Sequence, residues 1–124
     1  MKLENKVAIV TGGGKGIGAE ICLRLAKEGA KIVIAELDIQ SGEKIKKKII
    51  ENNGDAIVVK TNVADEVSAN QMADKAIKKF GKIDVLINNA SAFEFDTVKT
   101  TSYEIFDKHI DVNLKTPFFL SKCF

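Results

Sequence analysis

Apolar residues recur along this chain in two alternating rhythms. Val7-Ala8-Ile9-Val10 is a short unbroken apolar run, and Lys31-Ile32-Val33-Ile34-Ala35, Ala56-Ile57-Val58-Val59 and Asp84-Val85-Leu86-Ile87 repeat it. Runs of this length and β-branched content predict strands covered on both faces, because a strand with one wet face would alternate apolar with polar residues. Between the runs the spacing changes to three and four. Ile17, Ile21, Leu25 and Ala26 mark a first helix stopped by Gly29, and a charged second helix runs from about Ser41 to Asn52 and ends near Gly54. Ala69, Met72, Ala73, Ala76, Ile77 and Phe80 mark a third, with Asp65 as its N-cap and Gly81 as its stop. Thr101-x-x-Glu104 offers a capping box for a last helix running toward the C-terminus. The predicted order is βαβαβαβα. Helical crossovers of this length make the strands parallel and the crossovers right-handed, so the expected fold is an α/β, open, doubly wound parallel sheet of order 3-2-1-4.

Composition narrows the picture. In 124 residues, 45% of them hydrophobic, there is room for one modest core, so residues 1–124 are expected to form a single unit. One proline, nine scattered or clustered glycines and no low-complexity tract leave no linker. Nineteen Lys plus Arg against seventeen Asp plus Glu give a net charge of +2, too small a surplus to argue for nucleic acid or a membrane surface. The densest basic run, Lys44 to Lys48, is bracketed by Glu43 and Glu51 at spacings that support a solvated helix face. Cys22 and Cys123 have no framework of further cysteines, and the apolar run after Lys6 is too short for a signal peptide. A reducing, cytoplasmic setting is expected. No His, Cys or carboxylate cluster has metal-ligand spacing, and no metal is expected.

Candidate chemistry begins at Thr11-Gly12-Gly13-Gly14-Lys15-Gly16-Ile17-Gly18, between the first strand and the first helix. A chain that turns sharply there, brings main-chain N–H groups up to a diphosphate and packs its helix on the strand has no room for side chains at the glycines. The helix start would supply the anion attraction through its unpaired N–H groups and dipole. Glu36 stands at the end of the second strand, twenty positions beyond Gly16, where a dinucleotide fold places the carboxylate that binds the adenosine ribose. That favours NAD over NADP, whose 2′-phosphate the carboxylate would repel. Lys15, a cation inside the turn, could meet such a phosphate or sit in solvent.

With Asn62-Val63 after the third strand, Asn88-Asn89-Ala90 after the fourth and Val112-Asn113-Leu114 in the last helix, the whole chain resembles the short-chain dehydrogenase/reductase family, whose fold is Rossmann-type. The resemblance implies that Gly12, Gly16, Ile17 and Gly18 line the pyrophosphate and inner ribose, that Glu36 holds the adenosine ribose, and that Asn62 and the Val63 backbone contact adenine. Asn62 replaces the family's usual Asp, which should weaken that contact without abolishing it. Asn89 and Ala90 would lie beneath the cofactor, Asn89 also tying the sheet centre to the first strand, and Ser91 puts a Cβ where the family usually has glycine. Asn113 matches the helical Asn whose main-chain carbonyl serves the proton relay, the one catalytic position matched. Pro117, four residues later, has no N–H for that carbonyl, so either a kink exposes the oxygen or the helix simply ends there.

The family interconverts alcohols with ketones or aldehydes by hydride transfer, using a Ser and a Tyr-x-x-x-Lys that follow the Asn113 position. These are absent from the 124 residues: the single tyrosine, Tyr103, precedes Asn113 and is followed four residues on by Asp107. A general base contributes about 10²–10⁴-fold, and a neutral Asn113 amide supplies none; His109 reads as a packing or surface residue. The chain is therefore expected to be the truncated NAD(P)-binding portion of an oxidoreductase, silent alone. The alternative is a non-catalytic NAD(H)-binding or interaction module. In either case the fourth strand would be an apolar edge, and Phe118-Phe119-Leu120 would lack something to pack on. Self-association into a homo-oligomer, a complementing second chain or a poorly soluble product follow from that.

Overall fold

The computed structural model describes residues 1–122. Among them the elements run β1 (Val7–Thr11), α1 (Gly16–Lys27), β2 (Lys31–Glu36), α2 (Ile39–Glu51), β3 (Ala56–Lys60), α3 (Glu66–Phe80), β4 (Val85–Ile87), α4 (Tyr103–Ile110), a π-helical stretch Asp111–Lys115, and α5 (Thr116–Lys122). The strands pair in parallel in the order β3-β2-β1-β4, the order expected of the doubly wound fold. Residues two apart in a strand share a face, and the core divides accordingly. Ala8, Val10, Ile32 and Ile34 pack on one side with Ala19 and Cys22 of α1 and Ile45 and Ile49 of α2. Val7, Ile9, Val33 and Ala35 pack on the other with Ala69, Met72 and Ala76 of α3 and Leu120 of α5. Two covered faces are why β1 and β2 are apolar at successive positions.

Two helix starts depart from expectation, and the alternatives left open at Pro117 are decided. Helix α2 starts at Ile39 because Asp38 caps it, its carboxylate accepting the Ser41 N–H. At α4 the cap is Ser102, which accepts from Ile105 N–H at 3.2 Å, while the Thr101 hydroxyl donates back to the Thr97 carbonyl. Thr101 is thereby used by the preceding turn and forms no capping box with Glu104. Pro117 does not end the last helix, which widens into the π-helical stretch just before it and continues to Lys122. Proline removes an N–H, and the wider turn lets the Thr116 N–H reach the Asp111 carbonyl instead.

Strand β4 occupies the sheet edge, as expected. Its anchor is Asp84, whose N–H donates to the Val7 carbonyl at 2.9 Å while its carboxylate accepts the Val7 N–H at 2.8 Å. That bond, with Lys82 and Lys6 nearby, holds the Asp84 carboxyl below its usual range. The aromatic tail divides: Phe118 and Phe119 are exposed, but Leu120 is buried, contrary to expectation. It lies one helical turn from buried Thr116, on the face turned to the sheet. Cys22 is buried and its thiol is pushed up to about 12 by desolvation, the state of a packing residue. Cys123 lies outside the described residues.

Candidate functional site

The chain passes from β1 to β2 and β3 in one direction and then crosses back to lay β4 on the other side of β1. At such a reversal the loops beyond the two central strands diverge and leave a crevice at their C-terminal ends. The Gly12–Lys15 turn occupies it. Gly12 adopts φ +64° and donates its N–H to the Ala35 carbonyl at 2.8 Å. A Cβ on Gly18 would run into the Gly12 carbonyl and the Asn89 amide nitrogen, so close approach requires glycine there. Gly16, at φ +51°, faces open space.

Helix α1 begins at Gly16, and its first intrahelical bond is from Ala19 N–H to the Lys15 carbonyl at 3.2 Å. No side chain caps it and its first turn carries no acid, whereas Asp38, Asp65 and Ser102 cap α2, α3 and α4. The positive end of the dipole is thus left to solvent or a ligand. The expected cradle is narrower than Gly12 to Gly18, however. Gly12 spends its N–H on Ala35, and Gly14 donates to Glu36 Oε1 at 3.1 Å, leaving the donors at the helix start itself.

A hydroxyl that sequence reasoning gave no role organises the centre of the crevice. Thr11 Oγ1 accepts from both Asn89 N–H and Ala90 N–H at 3.0 Å and donates to the Ile87 carbonyl at 3.3 Å. Asn89 Nδ2 in turn donates to the Thr11 and Gly12 carbonyls at 3.0 and 3.2 Å. The expected tie from Asn89 to the first strand is therefore present, and Thr11 doubles it. A polar residue closing an apolar run was the available signal.

At the end of β2, Glu36 accepts from Gly14 N–H through Oε1 and from Asp38 N–H, at 3.2 Å, through Oε2. Each oxygen keeps a lone pair for a further donor. Lys15 remains exposed but is ion-paired, its ammonium 2.9 Å from Asp38 Oδ2. The hydrogen bond to Lys15, then those to Ser41, lower the Asp38 carboxyl to about 2, and the same pairing raises Lys15. Asn62 folds its Oδ1 onto the Ala64 N–H at 3.1 Å and donates its own N–H to Ser68 Oγ at 2.9 Å.

Beyond β4, the Asn113 side chain grips the Ala92 backbone at both ends, Oδ1 accepting from Ala92 N–H and Nδ2 donating to its carbonyl, each at 2.8 Å. The amide is spent on holding the loop. His109 completes the clamp: its Nε2 accepts from Glu94 N–H at 3.0 Å, so Nδ1 carries the proton toward the Ile105 carbonyl at 2.8 Å. Lys108 adds an ion pair to Glu94 at 2.7 Å. Engaged at both nitrogens, His109 is a packing residue.

These groups meet around one cavity of 580 Å³, lined by Gly12, Lys15, Ile17, Glu36, Asn62, Val63, Asn89 and Ala90, with Leu37, Phe93, Lys108 and Val112 among its other walls. Of the positions singled out from the motifs, Gly16 and Gly18, in the first turn of α1, are not among this lining, Gly16 being exposed and Gly18 buried, and Asn113 reaches it only through Ala92. Leu37, Phe93 and Lys108 carried no motif and become neighbours through folding. Among the described residues no group of three or more His, Cys, Asp or Glu is placed to hold a metal, and no helix is long and apolar enough to cross a membrane.

Comparison with known proteins gives one consistent result. A protein described as an uncharacterized oxidoreductase of Thermotoga maritima is 42% identical over 120 residues, which cover 97% of this chain and 47% of that protein. Among solved structures, a 7α-hydroxysteroid dehydrogenase complexed with NADH and 7-oxo glycochenodeoxycholic acid superposes with a TM-score of 0.94 at 30% identity, over 98% of this chain and 47% of that one. A short-chain dehydrogenase from Burkholderia cenocepacia in complex with NADP does so with a TM-score of 0.94 at 31% identity, over 98% and 50%. The chain spans about half the length of the relatives it matches. The family profile described as short chain dehydrogenase matches residues 6–124, and with the β3-β2-β1-β4 sheet and the glycine turn at its switch point this chain belongs to the short-chain dehydrogenase family.

Proposed function

We propose that these residues form the dinucleotide-binding portion of an oxidoreductase that interconverts an alcohol with a ketone or aldehyde, with NAD preferred over NADP. The observation that carries this reading is the convergence of residues from four separate motifs on one cavity at the switch point. A dinucleotide fits the groups present. The uncapped start of α1 offers N–H donors and a positive dipole to the diphosphate, and the glycine turn lets it approach without a Cβ in the way. Glu36 offers acceptor lone pairs to ribose hydroxyls and repels a 2′-phosphate. Asn62 and the Val63 backbone would receive the adenine, and Asn89 and Ala90 would support the nicotinamide end.

When bound, the nicotinamide ring supplies or takes up the hydride. The chain's own part is to hold and orient. Asn113 and His109 fix the loop from Ala92 to Glu94 over the last helix. The Asn113 main-chain carbonyl, with proline at the i+4 position, is the oxygen offered to a proton relay. The substrate-polarising Ser and the Tyr-x-x-x-Lys acid/base would come from outside these 124 residues, and without them no turnover is expected. The half-buried β4 edge and the exposed Phe118 and Phe119 support completion by a further chain segment or a second copy.

Titration of the protein with NADH and NADPH, followed by nicotinamide fluorescence, tests the reading. Saturable binding is expected, tighter for NADH, and Glu36→Ala should weaken NADH more than NADPH. Absence of binding of either dinucleotide by a folded protein refutes it.

A further inference from the structure

A lysine inside a phosphate-binding turn would ordinarily invite a second phosphate group, yet Lys15 lines the cavity beside Glu36 with its ammonium 2.9 Å from Asp38 Oδ2. The residue it meets is anchored through its backbone N–H and at both carboxylate oxygens. Asp38 donates its own N–H to Glu36 Oε2, its Oδ1 accepts the Ser41 N–H at 3.3 Å, and its Oδ2 accepts the Ser41 hydroxyl at 2.8 Å. Asp38 cannot turn away without uncapping α2, so the flexible lysine is the partner that has come to it.

We infer that Asp38 is a specificity-determining residue of the dinucleotide site, because by engaging Lys15 it withholds the one cation of the turn from a 2′-phosphate. The inference rests on the dinucleotide reading above and extends it beyond Glu36. Glu36, Asp38 and Lys15 together carry one net negative charge. A 2′-phosphate brought to this end of the cavity must displace Lys15 from Asp38 and then lie near two carboxylates. A ribose hydroxyl needs no cation and meets the Glu36 oxygens directly. Removing the Asp38 charge alone makes the cluster neutral and leaves the ammonium unclaimed. Both partners are substantially exposed, so the effect is that of a surface pair and not of a buried one.

Asp38→Asn keeps the shape and a good N-cap while deleting the charge. Fluorescence titrations with NADH and NADPH at low ionic strength should show NADPH binding tightened roughly three- to fivefold, with NADH changed by less than about twofold and the gain shrinking in added salt. Asp38→Ser, also a capping residue, should behave alike and guards against a folding defect in either variant. In Asp38→Asn/Lys15→Gln the gain should vanish. An unchanged ratio of the two affinities in both Asp38 variants, a gain that survives in the double variant, or a wild type that already prefers NADPH overturns the inference and leaves dinucleotide binding standing. A folded wild type that binds neither dinucleotide overturns the reading of the site and this inference with it.

Discussion

Replacing Thr11 by Val isolates the hydroxyl at the centre of the crevice, because the two side chains have nearly the same shape. Thr11 is 1% exposed, and its Oγ1 is the acceptor for Asn89 N–H and Ala90 N–H, both at 3.0 Å. Valine orphans both donors. An unsatisfied buried N–H costs about 1–3 kcal/mol, and since Asn89 and Ala90 are half-buried the lower end applies, about 2–3 kcal/mol for the pair. The added methyl recovers about 0.8 kcal/mol, so roughly 1–2 kcal/mol of stability should be lost. The sharper readout is local. Amide hydrogen exchange at Asn89 and Ala90 should accelerate about tenfold relative to the β1–β2 ladder, while Thr11→Ser, which keeps the acceptor, should stay within about twofold at those amides. Undiminished protection in Thr11→Val, or an equal loss in Thr11→Ser, would show that the hydroxyl does not hold the end of β4.

Gly18→Ala should destabilise the chain by about 1–2 kcal/mol in urea unfolding, because a Cβ meeting the Gly12 carbonyl and the Asn89 amide outweighs the helix propensity gained; an unchanged midpoint would mean that β1, α1 and β4 are packed less closely. Asp38 titrates at about 2, below its ordinary 3.8, so the stabilisation it lends the start of α2 is complete above about pH 4 and fades as pH falls toward 2. Carboxyl NMR titration of Asp38 reads this directly, and a midpoint at the ordinary value contradicts the Lys15 pairing.

Much of the site was legible because its parts are local. The glycine turn needs glycines within a few consecutive residues, and Glu36 follows from the length of one βα unit, so both could be numbered from the sequence. What escaped were relations across large separations. Thr11 reads as the last residue of a strand until β4, 76 residues away in the chain, is laid beside it. That the exposed Lys15 would be paired with Asp38, lying beyond β2, could not be read from its place in the turn. Leu120 read as part of an exposed aromatic tail, because its position on the last helix relative to the sheet depends on the π-helical stretch before it.

The apolar rhythm determined the parallel sheet, since continuous runs demand two covered faces and helical crossovers have one hand; the glycine motif located the turn, and the strand order came from the doubly wound pattern as a whole. Which amides remain for a ligand, which cation is already claimed, and where the last helix turns its faces were decided only in three dimensions. Hydrogen bonds and ion pairs have short reach, and their partners are selected by folding and not by proximity along the chain.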